Sequence, residues 1–170
     1  MRKLLSQRLA VFAFACVALI MPSLGHADCV DPPAPGVDWT RCYFDERSFV
    51  GVDLSGAHLK DATFSRGNLE GANFSETYAS RAKFIHAKLG KVRFDSARLR
   101  EADFTNADLQ GASFKGADLR RARLFRADLR GADFTNARMR GADLLESDLT
   151  GALWIDGKRR CGEGSLGQCR

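Results

Sequence analysis

Every fifth position of this chain from Phe44 to Trp154 belongs to one apolar register, and all but one of its residues are large. Of these 23 centres, eleven are Leu and nine are Phe; the others are Met139, Trp154 and Ala79. A second register lies two residues before each centre and is Ala in 16 of the 23 units. Ala102-Asp103-Phe104-Thr105-Asn106 is a typical unit. On a helix turning about 100° per residue, a step of five rotates the side chain by about 140°, so the series would point to every face. On a continuous strand an odd step sends successive centres to opposite faces. Only a chain that turns a corner once per unit can send all of them inward. Four corners per turn would close a square coil of 20 residues. The residue two before the centre points inward as well, and it is small because so narrow a coil has little interior. The other three positions hold mostly Asp, Asn, Ser, Thr, Arg, Lys and Gly, which face water.

This pattern resembles the pentapeptide repeat family, whose motif is A(D/N)LXX. The match runs over residues 42–156 as 23 consecutive units without an insertion. The resemblance implies an all-β fold, a right-handed quadrilateral parallel β-helix of about six coils. Stacked at about 4.8 Å per coil, such a rod is roughly 27 Å long. Its stability would be a sum over coils and their neighbours, with special needs at the two ends.

Residues 1–27 read as a secretory signal. Arg2, Lys3 and Arg8 precede an apolar run from Leu9 to Leu24, and Gly25-His26-Ala27 offers a small-x-small cleavage site before Asp28. The run is interrupted by Pro22 and is short for a bilayer span. The expected location is therefore periplasmic or secreted, with no membrane span in the mature chain. An uncleaved anchor is the rival reading. Loss of the segment removes three basic residues and no acidic ones, so the formal +5 becomes +2. The mature protein is therefore nearly balanced, and nucleic acid is not an expected partner.

Four cysteines follow the signal: Cys29, Cys42, Cys161 and Cys169. An even count in a secreted chain suggests disulfides, and three pairings are open. On the β-helix that the resemblance implies, two of these cysteines lie at each end of a rod roughly 27 Å long, while a disulfide needs Cα atoms within about 7 Å. The resemblance thus implies Cys29–Cys42 and Cys161–Cys169. Residues 28–41, with Pro32, Pro33, Pro35, Gly36 and Trp39, are expected to form an N-terminal capping loop, with Trp39 over the first coil. Residues 157–170 are expected to form a disulfide-closed C-terminal cap. The alternative use of the last coil is dimerisation.

Residues 20 apart should stack on one side. The centres 44, 64, 84, 104, 124 and 144 read Phe four times and then Leu twice. The centres 54 to 154 read Leu, four Phe and Trp, and the centres 49 to 149 read Phe and then five Leu. Ala79 is the one undersized centre, which predicts a void or a local distortion near Tyr78. Outward positions sort in the same way. The side centred on 59 to 139 carries eight bases against three acids, Asp61, Glu101 and Asp118. In one of its columns Asp61, Arg81, Glu101 and Arg121 alternate in sign, as interlocking ion pairs would. In another, Lys60, Arg100, Arg120 and Arg140 repeat one sign, which is unfavourable without nearby acids or an anionic partner. Ile85, Phe125 and Leu145 form a smaller outward apolar strip.

No enzyme is expected. The repeat glycines sit singly at corners such as Gly111 and Gly131, and no Gly-rich phosphate loop is present. His58 and His86 fall on different sides without a paired nucleophile, so no catalytic, cofactor-binding or metal-ligating residues are assigned. The expected role is a non-enzymatic extracytoplasmic scaffold or binding rod. Its candidate face for an anionic partner is Lys60, Arg98, Arg100, Arg120, Arg121, Arg138 and Arg140. An acidic protein surface, an anionic lipid headgroup and an acidic polysaccharide all fit that chemistry. The resemblance also brings an alternative, imitation of duplex DNA to bind a topoisomerase, which calls for a cytoplasmic protein with an acidic surface. The protein would act as a monomer or as a dimer through its C-terminal coil.

Overall fold

Each five-residue unit makes one short extended step and one turn. The N–H three residues beyond a centre donates to the centre's carbonyl, as from Arg47 to Phe44 at 3.2 Å and from Ala107 to Phe104 at 3.0 Å. The residue two beyond the centre has a φ between +55° and +73° in every unit from Arg41 to Gly151. A positive φ at the third turn residue is what a type II turn demands. Glycine meets that demand freely, yet 15 other residues occupy it, and none of them is β-branched. The residue before the centre steadies the corner when it is Asp or Asn. Its carboxyl or amide oxygen accepts the N–H two residues on, as Asp103 does from Thr105 and Asp148 from Thr150.

The computed structural model describes residues 29–170. The expected signal segment, residues 1–27, lies outside the described residues. Parallel bridges join every residue before a centre to its counterpart 20 further on, and they build four sides. Side 1 carries the bridges from Tyr43 to Asp143, side 2 those from Ser48 to Asp148, side 3 those from Asp53 to Leu153, and side 4 those from Asp38 to Arg138. This is a four-sided parallel β-helix. Every centre from Leu54 to Phe134 is fully buried, and so is nearly every small residue two before it.

Two opposite sides supply the aromatic core. On side 1, Phe64, Phe84 and Phe104 stack at 5.3 and 5.0 Å between centroids. On side 3, Phe94, Phe114 and Phe134 stack at 5.4 and 5.2 Å. The two ladders meet edge to face, as Phe74 and Phe84 do at 5.8 Å and 89°. Such pairs add to area burial by about 0.5–1.5 kcal/mol each. Sides 2 and 4 carry the Leu centres, which fill the remaining width.

The repeat begins one unit earlier than residue 42. Val37-Asp38-Trp39-Thr40-Arg41 has the corner at Arg41, a bridge from Asp38 to His58, and a bond from the Trp39 N–H to the His58 carbonyl. Trp39 is therefore a centre and not a lid. It is buried against Phe44 and Phe49, at 4.3 and 5.5 Å, and its indole N–H donates to the carbonyl of Asp31. A bulky Trp in the Leu/Phe slot closes the narrow coil from inside, beneath the loop that starts at Cys29. Cys29 is bonded to Cys42, with Cα atoms 5.5 Å apart.

No distortion marks Ala79. Its N–H bonds to the Arg98 carbonyl at 3.0 Å, and the bridges from His58 through Tyr78 to Arg98 are continuous. The neighbouring small slot holds Thr77, fully buried, with its hydroxyl donating to the Phe74 carbonyl. Volume lost at the centre is partly restored two residues earlier, so the backbone keeps its path.

At the other end the chain leaves the register after Trp154 and turns back. Residues 160 and 166 bridge antiparallel to Leu153 and Asp148. Cys161 and Cys169 are bonded, with Cα atoms 4.8 Å apart. The tail pairs with sides 2 and 3, and its Gly167 reaches the corner of side 1 at residues 144–146.

Candidate functional site

Side 4 presents the arginine-rich surface. Its corners project side chains from the positions before and after each centre, and the 20-residue coil stacks those positions into columns. Asp61 and Arg81 form a two-pronged ion pair at 2.7 and 2.8 Å. Arg121 lies 3.8 Å from Glu101. The alternating column is thus internally matched, and Arg121 belongs to it more than to a free cationic face.

The like-charged column is shared around one acid. Arg120 grips Asp118 with both prongs, at 2.7 and 2.5 Å, and Arg100 approaches the same carboxyl at 3.9 Å. The Arg120 hydrogen bond is the chief cause that holds the Asp118 carboxyl below its ordinary value of 3.8, against the opposite pull of partial burial. Asp118 therefore stays ionised and neutralises one guanidinium. Lys60, Arg138 and Arg140 have no ion pair among the described residues.

Six of the seven expected residues converge. Arg98, Arg100, Arg120 and Arg138 surround an open depression of about 520 Å³ with Asp118 at its side. Arg140 joins Arg100, Arg120 and Arg121 around a second hollow of about 290 Å³ beside it. Lys60 borders neither hollow and lies towards the N-terminal end of the column. Six guanidiniums against the carboxylates of Asp118 and Glu101 leave a local excess of positive charge. Ser80 and Ser96 line the first hollow.

One feature of this side was not singled out from the sequence. His58 and Tyr78 stack outside the core with centroids 4.8 Å apart and planes 3° from parallel. The Arg98 guanidinium then sits 4.5 Å from the Tyr78 ring centroid. Tyr78 is still 39% exposed. The signal was available: the three residues occupy the same slot at intervals of 20. The stack fixes Arg98 at the rim of the hollow without consuming its charge in an ion pair.

The family model described as "Pentapeptide repeat region" matches residues 57–134. A second, "Pentapeptide repeats (8 copies)", matches residues 38–75 and 117–153. Among solved structures, the chain is similar to HetL, a pentapeptide repeat protein involved in heterocyst differentiation regulation from the cyanobacterium Nostoc. The identity is 28% over 72% of this chain and 70% of that one, with a TM-score of 0.49. A pentapeptide repeat protein of the Arabidopsis thaliana thylakoid lumen is 30% identical over 62% and 67% of the two chains, with a TM-score of 0.43. The plasmid-mediated fluoroquinolone resistance protein QnrB1 is 22% identical over 68% and 71%, with a TM-score of 0.37. No curated protein matches the chain.

Proposed function

Because the chain belongs to the pentapeptide repeat family, we propose that it is a non-enzymatic binding rod that acts outside the cytoplasm and docks an anionic partner on side 4. The winding is read as right-handed, as in the family, over about six coils. The observation that carries the binding role is the cluster of Arg98, Arg100, Arg120 and Arg138 around Asp118, with Arg140 in the adjoining hollow. Like charges so close are unfavourable unless an anion answers them, whereas Asp61 and Arg81 on the same side are paired. The extracytoplasmic location is supported by the charged and apolar pattern of residues 1–27 and by the two disulfides at the rod's ends. A DNA-mimicking role calls for an acidic surface, and side 4 opposes it.

The test is retention at low salt on three anionic supports: polygalacturonate, phosphatidylglycerol vesicles and an immobilised Asp-rich peptide. The protein should bind at least one of them, and binding should weaken as ionic strength rises through about 0.15 M. The triple variant R98E/R138E/R140E should lose it, whereas R81E should not. Equal retention of the triple variant would sink the proposal. Cell fractionation tests the location independently.

A further inference from the structure

The C-terminal end of the rod is capped on half of its perimeter. On side 2 the Ser147 carbonyl accepts from Gly167, and the N–H groups of Leu149 and Gly151 donate to Ser165 and Cys161. On side 3 the Ala152 carbonyl accepts from Cys161, and the Trp154 N–H donates to Arg159. The corresponding groups on sides 4 and 1 are the carbonyls of Ala137 and Ala142 and the N–H groups of Met139, Gly141, Leu144 and Glu146. None of these six has a hydrogen-bond partner among the described residues. Exposure follows the pairing except at Trp154, half-buried on capped side 3, and Ala137, buried on side 4. Leu149 and Ala152 are fully buried, whereas Met139, Ala142 and Leu144 are only half-buried and Leu145 is 62% exposed. The tail thus builds half of a further layer and leaves an L-shaped ledge, one strand deep, that is open over residues 137–143 and flanked by Gly167 at residues 144–146.

The geometry points to this ledge as the docking site for an extended acidic segment of a partner protein, which adds one strand over residues 137–141. The inference rests on the anionic-partner reading above and names the partner's class. An alternation of carbonyl and N–H groups at strand spacing is answered by another polypeptide backbone, which neither a sugar chain nor a lipid headgroup reproduces. The charge comes from Arg138 and Arg140, both exposed and without ion pairs, on either side of Met139. Acids two residues apart on the incoming strand would extend the two outward columns that end in these arginines. Leu145, on the other arm of the ledge, offers an apolar contact to residues that follow. A second copy of this chain fits less well. Its tail, the part that would seat on the ledge, carries Lys158, Arg159, Arg160 and Arg170 against Glu163 and so brings like charge to Arg138 and Arg140.

The probe is a fluorescein-labelled peptide with Asp at alternate positions and Thr between them. Its backbone N-methylated counterpart, polygalacturonate and phosphatidylglycerol vesicles serve as the other arms. The unmodified peptide should bind and slow amide exchange at Met139 and Gly141. N-methylation keeps the charge and removes backbone donors, and should weaken binding by roughly tenfold, the worth of one or two net hydrogen bonds. R138E/R140E should weaken it as well. If the N-methylated peptide binds equally and those amides stay unprotected, the ledge is not the site, although charge-driven docking on side 4 survives. If only the polysaccharide or the vesicles bind, the partner is not a peptide strand. If no anionic probe binds at all, both the ledge and the anionic-partner reading fall.

Discussion

The corner position two beyond each centre decides what a residue can do here. Gly131 has a φ of +68°, and a Cβ built on it would meet nothing within 4 Å. Space is therefore not the constraint; the left-handed backbone is. Asn136 adopts a φ of +60° one unit later. Gly131→Asn should be nearly neutral, while Gly131→Val should cost about 1–3 kcal/mol, because a β-branched residue resists that region. Thermal denaturation of the two variants separates conformation from crowding. A second prediction concerns Asp118. Its folded carboxyl lies below its ordinary value, held there mainly by Arg120. A depressed folded value contributes stability that is present above the unfolded value near about 4 and is lost as pH falls through the folded one. Asp38, Asp61 and Asp148 shift in the same direction, each led by a side-chain hydrogen bond, from Thr40, Arg81 and Thr150. The melting temperature should thus be flat near neutrality and fall below about pH 4. Asp118→Asn should shallow that fall, and by releasing Arg120 and Arg100 it should tighten binding to anionic supports at low salt.

The aromatic ladders work as elements. Phe114 is fully buried, stacked 5.4 Å from Phe94 and 5.2 Å from Phe134, and touched edge-on by Phe104. Phe114→Ala should cost about 3–5 kcal/mol, since the surrounding coils are pinned by backbone bonds and cannot collapse into the cavity. In a stack of nearest-neighbour units the damage is local. Hydrogen exchange should rise in the coils holding Phe94, Phe114 and Phe134 and less in the coil of Phe44. Uniform loss of protection would contradict this one-dimensional picture. The ladders were legible from the sequence, because identity at intervals of 20 needs only the corner count. The compensation at Ala79 was not. It depends on the buried hydroxyl of Thr77 meeting the Phe74 carbonyl, which is a matter of side-chain direction.

At the scale of the whole molecule, the ends govern behaviour. The Cys161–Cys169 bond closes the tail that satisfies the edge groups of sides 2 and 3. Replacing both cysteines by Ser should destabilise the protein by about 2–3 kcal/mol on loop-entropy grounds. It should also raise amide exchange first at Leu149, Gly151 and Trp154. Exchange at Met139 and Leu144, already unpaired in the folded chain, should hardly change. The capping role of the tail could be anticipated from its cysteines and glycines. That it covers two sides and spares two could not, because its pairing is antiparallel and irregular and follows no register.

The period of five, read alone, determined the inward register and the corners, which a turn every fifth residue forces on any chain with this spacing. The coil length and the side on which positive charge gathers came from residue identities at intervals of 20. The membership of Trp39 in the same register was also within reach, since residue 39 stands five before Phe44. Tertiary structure decided what the stack brings together across coils and at its ends. It showed that Arg120 and Arg121 are largely matched by Asp118 and Glu101, that Arg98 rests on Tyr78, and that the last coil is left half open. Each depends on side-chain reach and on how an aperiodic tail folds back, and a periodic sequence carries no information about where its period stops being obeyed.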